Sequence, residues 1–179
     1  MSSTWNATTR AAVHEDMITG EFSAERAFAR PLSEVWRGYS DPALRALWRS
    51  VPGSRSRFSV DFRPGGREVA EGIFAPSGVD ETIVSTADFL DIVDRDRIVF
   101  ASSLRLDGVL RWASLVTVAF SGGDSTTSVR HTEQFTFLVY DGDGENDVAH
   151  LRGGLNLQWN RFEVALDSLR ASTSQTVRL

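Results

Sequence analysis

A stripe near the C-terminus constrains this chain more than any other feature. Leu155, Trp159, Phe162, Leu166 and Leu169 recur at spacings of four, three, four and three. Those spacings put all five side chains on one face of an α-helix. Between this stripe and the N-terminal region lie six or so strand-like runs and no other long helix. A long apolar helix face without a second long helix must be covered by a sheet. The expected class is therefore α+β, with a curved antiparallel sheet of six or seven strands around one long C-terminal helix. Such a sheet leaves a pocket against the helix, which points to binding of a small molecule.

Local signals place the elements. Phe22, Ala24, Arg26 and Phe28 alternate, which predicts a first strand over 21–29. Pro31 suits a helix start, and residues 32–39 form a short helix with Val35 and Trp36 inward. Ser40 or Asp41 caps a second short helix that begins at Pro42 and buries Leu44, Leu47 and Trp48. Strands are then expected at 57–62, 67–74, 81–93, 97–106, 110–120 and 126–139, separated by Pro/Gly-rich turns. Asp107-Gly108 is the dipeptide that type I′ hairpin turns prefer. The last helix is expected from about Asp147, as its cap, to Ala171.

The length of 179 residues favours one domain. Residues 1–19 are polar and aperiodic and are expected to form a mobile arm, with Trp5 docking on the body; 20–172 form the domain, and 173–179 fray. With no cysteine there is neither a disulfide nor thiolate chemistry. All 19 basic residues are arginine; they are scattered, and the net charge is −5, which argues against a nucleic-acid partner. No apolar run reaches a membrane span, so no membrane partner is expected. Residues 1–20 do not read as a secretory signal, which makes the Asn6-Ala7-Thr8 sequon incidental and the expected location cytoplasmic.

Strand parity supplies the chemistry. On the 110–120 strand one face carries Leu110, Trp112, Val116, Val118 and Phe120; on the 126–139 strand one face carries Val129, His131, Glu133, Phe135 and Phe137. An otherwise apolar interior thus receives one His and one Glu, about 7 Å apart along the strand. The pair can orient a ligand hydroxyl or carbonyl, or move a proton as catalytic candidates. The plainer alternative is a hydrogen-bonded His131 at the cavity mouth with Glu133 paired to an arginine. Glu68 or Glu71, and Arg111, can add charge, depending on a parity that the pattern leaves open. The ligand-lining set is Trp48, Phe74, Phe100, Trp112, His131, Glu133, Phe135, Leu155 and Trp159, while Phe58, Phe89 and Phe137 are aromatics of the same kind. Ordinary core packing is the alternative for most of these rings.

Other motifs fail on their spacing. Asp141-x-Asp143-x-Glu145 has Asn146 and Arg152 where a calcium loop needs Gly and Glu. Gly65-Gly66 precedes no helix and cannot cradle phosphate. His14, His131 and His150 lack ligand spacing, so no metal is expected, and no cofactor motif is present.

Several segments in order carry a family likeness: Arg26-Ala-Phe28-Ala-Arg-Pro31 with Val35-Trp36, Asp41-Pro42, and Arg63-Pro64-Gly65-Gly66-Arg67. Further on come Arg97-Ile98-Val99-Phe100, Leu106-Asp107-Gly108, Val116-Thr-Val118-Ala-Phe120 and Thr132-Glu133-Gln134. Over residues 21–170 the chain resembles the START-like (SRPBCC) superfamily, in particular the bacterial heat-shock ATPase activator-homologue family. Leu155 follows Gly154 where that family often has tryptophan, and His131 stands where an aliphatic residue is common. The resemblance implies a helix-grip fold with a cavity closed by the last helix. It implies no single activity, because lipid carriers, hormone receptors, polyketide cyclases and co-chaperones share the fold. Three functions follow as expectations: binding of a small apolar ligand, a cyclase- or dehydratase-type enzyme using His131 and Glu133, and a co-chaperone-like interaction module. Open sheet edges together with the resemblance point to a homodimer.

Overall fold

A computed structural model describes residues 17–75, 78–140 and 142–176, with side chains as far as Ser168. The expectations for Trp5, Asn6 and His14, and for the side chain of Leu169, fall outside those residues.

Seven strands and three helices follow in the order β1 (Ile18–Phe28), α1 (Leu32–Ser40), α2 (Pro42–Arg49), β2 (Ser54–Val60), β3 (Arg67–Phe74), β4 (Glu81–Val93), β5 (Arg97–Leu106), β6 (Val109–Gly122), β7 (Thr127–Phe137) and α3 (Glu145–Thr176). The strands form one antiparallel sheet in the order β1-β7-β6-β5-β4-β3-β2. The meander from β2 to β7 is closed by β1, which returns beside β7. Inner and outer residues alternate without a break along β7, from buried Thr127 to buried Phe137.

Bulges help to bend the sheet. Phe89 pairs with Phe100 and Asp91 with Val99, which leaves Leu90 unpaired and exposed. The extra residue switches the inward face of β4 from Ala87 and Phe89 to Ile92. A second bulge, at Arg111, lies between Leu110, paired with Arg105, and Trp112, paired with Leu104. The β5–β6 turn is the expected two-residue type I′ hairpin: Asp107 and Gly108 both have positive φ, 48° and 81°, and Leu106 pairs with Val109.

Asp41 is the residue that caps α2, its Oδ1 accepting from the amides of Ala43 and Leu44. The helices cover the concave face, and α1 and α2 both pack on α3. Where α1 crosses α3, Gly38 has no alternative, because a Cβ there would lie 2.5 Å from the Phe162 ring. Phe162 is fully buried among Phe28, Tyr39 and Trp48, with ring centroids 4.9–5.3 Å away.

Among the element limits that differ from the sequence expectation are the start of β1 and both ends of α3. The register of β1 on β7 begins with Ile18 opposite Phe137, inside the stretch assigned to the arm. The chain enters α3 at Glu145, where the Asp143 carboxylate accepts from the Glu145 amide, so Asp147 lies in the first turn and is not the cap. The helix then continues to Thr176, past the expected end. In each case a backbone ladder carries on through polar residues that lack a hydrophobic period. No helix among the described residues is long and apolar enough to cross a membrane.

Leu166 is 1% exposed on the face of α3 that meets α1. Leu166→Ala is expected to cost about 2–5 kcal/mol by urea denaturation. A loss below about 0.5 kcal/mol would mean that the grip on this face does not hold.

Candidate functional site

Cross-strand register divides the concave face into rows. One row runs Phe89, Phe100, Val116, Glu133, Phe22 from β4 to β1. Another, from β4, runs Ser85, Leu104, Trp112, Phe137, Ile18. Between them lies a row of small and polar residues: Glu68, Ala87, Ser102, Ser114, then Phe135 and Gly20. Across β4, β5 and β6 this middle row holds nothing larger than serine, and on β5 and β6 large side chains stand on either side of it.

A cavity of about 190 Å³ lies between these rows and the N-terminal half of α3. The sheet contributes Ser85, Phe100, Ser102, Leu104, Trp112, Val116, His131 and Glu133 to its wall; α2 contributes Arg49; α3 contributes His150, Leu151, Gly154, Leu155 and Gln158. Gly154 enlarges the space from above, since a Cβ there would meet nothing within 4 Å. Beside the cavity the hydroxyl of Ser114 is buried without a hydrogen-bond partner, a costly state for a polar group.

Of the nine residues expected to line a ligand site, five come together on this wall: Phe100, Trp112, His131, Glu133 and Leu155. The other four lie elsewhere. Trp48 is core; its indole N–H donates to the Gly38 carbonyl and its ring meets Tyr39 and Phe162. Trp159 is also core; its indole donates to the Tyr39 hydroxyl at 3.1 Å, with Arg26 against its ring. Phe135 bends over Gly20, where a Cβ would lie 2.7 Å from its ring, and packs against Phe22 and Phe137. Phe74 has inward parity but is the last residue of β3 and is 37% exposed.

His131 and Glu133 do face the same interior. Their Nε2 and Oε2 atoms are 3.0 Å apart, and Phe22 stacks on the imidazole. Glu133 is therefore bound to His131 and not to an arginine. Arg111 pairs with Asp147 at the start of α3, away from this pair. No group of three or more potential metal ligands is assembled among the described residues.

A second polar array went unread in the sequence. Glu68 faces inward and is 1% exposed, whereas Glu71 faces outward and pairs with Arg57. One oxygen of Glu68 accepts from Arg45 Nε and the other from Arg49 Nε, the latter at 2.7 Å. Arg45 also donates to the Tyr39 carbonyl, and its guanidinium lies 5.4 Å from the ring centroids of Trp48, Phe62 and Phe89. Arg49 reaches α3, donating from Nη1 to Gln158 Oε1 at 2.7 Å. The i, i+4 spacing of Arg45 and Arg49 on a short helix beside Trp48 was the available signal. Burial raises the Glu68 pKa, but the two guanidiniums outweigh it and hold the carboxyl below its ordinary 4.5. Burial pushes the Tyr39 phenol up to about 12, so it stays neutral.

This geometry, a curved antiparallel sheet gripping a long C-terminal helix over a partly polar cavity, defines a START-like domain, a ligand-binding type of fold. Residues 29–169 match the family described as Activator of Hsp90 ATPase homolog 1-like protein, and the chain belongs to that family. An uncharacterised protein from Rhizobium leguminosarum is similar over 85% of this chain and 97% of its own, at 27% identity and TM-score 0.71. A Rhizobium loti protein is 30% identical over 81% of this chain and 98% of its own, with TM-score 0.66. A Nitrosomonas europaea protein, 18% identical over 89% of this chain and 99% of its own, has TM-score 0.62 and shares the fold. Among curated protein sequences none matches.

Removing the charge of Glu68 leaves two buried guanidiniums facing each other. Glu68→Gln is expected to cost about 3–5 kcal/mol in denaturant. The sign of the pH dependence follows from the lowered folded pKa: the unfolded chain binds the proton first. The contribution of Glu68 is then complete above the ordinary carboxylate value and is lost as pH falls through the lower, folded one. Wild type should therefore lose more stability than Glu68→Gln between pH 5 and pH 3.

Proposed function

We propose that the protein binds a small, largely apolar ligand in the cavity between the sheet and the N-terminal half of α3. The observation that carries this reading is the small-residue row flanked by Phe100, Val116, Leu104 and Trp112, which leaves about 190 Å³ between the sheet and α3. Protein interiors do not keep such space at no cost. The volume is below the 300–1,000 Å³ usual for drug-sized ligands, so the ligand is small. Its apolar body lies against the rings and Leu155, gaining about 25 cal/mol per Å² buried. The His131–Glu133 pair sets its orientation.

A second reading, proton transfer by the same pair, is favoured by the 3.0 Å Nε2···Oε2 contact. When Nε2 donates to Glu133, Nδ1 is left as the basic nitrogen. Turnover requires a substrate with a transferable proton at that nitrogen, whereas binding does not. The homodimer belongs to the same proposal at the level of assembly: β1 and β2 are the outer strands of the sheet and offer pairing edges.

The test uses a small neutral apolar probe such as toluene, titrated into native protein and followed by calorimetry, with the melting temperature followed in parallel. Saturable binding with a raised melting temperature is expected, and a probe that binds the unfolded chain alone would count against the cavity. His131→Leu is expected to cost about 1–3 kcal/mol because it strands Glu133, and His131→Leu/Glu133→Leu is expected to recover most of that loss. Probe affinity should fall in both variants. Unchanged affinity in the double variant would take the pair out of the site.

A further inference from the structure

We infer that the ligand is a small carboxylic acid whose carboxylate is taken by Arg49, with its apolar body in the cavity. This inference rests on the proposed cavity binding and adds the chemical class of the ligand. It begins with a charge imbalance. Around Arg49, the Glu68 carboxylate is shared between Arg45 and Arg49, one oxygen to each Nε. Nearby, Arg161 donates to the carbonyls of Ser50 and Leu47, neutral acceptors at the end of α2. Burial first, and then the charge of Arg49, lower the affinity of Arg161 for its proton. Two guanidiniums thus share one carboxylate in the buried array, which leaves one positive charge without a counter-charge there, and an anion would complete the set.

Arg49 is the member of that set placed to receive it. Its side chain is 11% exposed and forms part of the cavity wall. Arginine carries five N–H donors in a planar fork. Two are engaged, Nε with Glu68 and one Nη1 hydrogen with the neutral oxygen of Gln158. The remaining Nη donors suit one carboxylate in the paired geometry that guanidinium favours. One guanidinium with one available edge fits a singly charged carboxylate better than a phosphate dianion.

The opposite side of the cavity argues for direction. Glu133 lies on β7, four strands from Glu68 on β3 and on the other side of the cavity from Arg49. Its Oε2 is occupied by His131. An acid lying with its carboxylate towards α2 keeps its charge away from Glu133 and its chain over Phe100, Leu104 and Trp112. The cavity, at about 190 Å³, lies below the size usual for drug-sized ligands and suits a short-chain acid.

The experiment compares hexanoate with hexan-1-ol on the intact wild-type protein at pH 7. Binding is followed by calorimetry and by the indole signal of Trp112 in NMR spectra. Hexanoate is expected to bind about tenfold or more tightly than the alcohol. The second arm is Gln158→Glu, which sets a protein carboxylate against Arg49 without removing any member of the buried array. It is expected to keep or raise the melting temperature while bringing hexanoate down to the level of hexan-1-ol. Equal or tighter binding of the alcohol by wild type would overturn the carboxylate while leaving the binding reading in place. An acid preference that survives in Gln158→Glu would overturn Arg49 as the receptor. If neither compound perturbs the Trp112 indole, the cavity proposal and this inference both fall.

Discussion

The ion cluster of Arg45, Glu68 and Arg49 joins the layers of this protein where apolar packing alone would leave their alignment loose. Glu68 projects from β3, both arginines from α2, and Gln158 extends the chain of contacts to α3. Arg49 thus links α2 both to β3 and to α3 through directional bonds. Burying three charges is expensive, and it is sustained here because each carboxylate oxygen has its own guanidinium and Arg45 also has a backbone carbonyl and three aromatic faces. Such a cluster adds less to stability than to the uniqueness of the arrangement. A helix shifted by one turn would strand a charge, whereas an apolar contact would slide.

That alignment divides α3 into two working halves. Phe162, Ala165 and Leu166 close on α1 and α2 with no space left, to the point that α1 needs glycine at position 38. About two and three turns earlier the same helix passes over the sheet at Gly154 and Leu151, where the row of Ala87, Ser102 and Ser114 offers little to pack against. The cavity follows from side chains that are short on both surfaces. The C-terminal half holds the distance between helix and sheet, and so the N-terminal half does not collapse into the gap. Rigid packing at one end keeps the other end open.

The wall of the cavity joins two polar systems of different kinds. His131 and Glu133 satisfy each other within one strand, and Arg49 joins the ion cluster to the cavity. Between them are rings and aliphatic side chains with no charge. This arrangement favours a molecule with an apolar middle and a polar end. Family membership alone does not specify it, since a shared fold does not fix the residues of a site.

The sequence by itself determined the architecture. The four-three-four-three stripe of α3, the Asp41-Pro42 helix start and the Asp107-Gly108 hairpin are local codes, set by 3.6-residue periodicity, capping chemistry and positive φ. Strand alternation likewise sufficed to turn His131 and Glu133 inward, because side chains on a strand can face just two ways. Register and packing lay beyond it. Whether Glu68 or Glu71 entered the core depended on how β3 pairs with β4. The separation of Trp112 from Trp159, one on the cavity wall and one in the core, depended on where α3 rests on the sheet. That Arg45 and Arg49 are drawn into a buried array depended on α2 lying over Glu68. Composition and period record which residues share a face, but a cavity is defined by what stands opposite each of them, and that was decided by the tertiary structure alone.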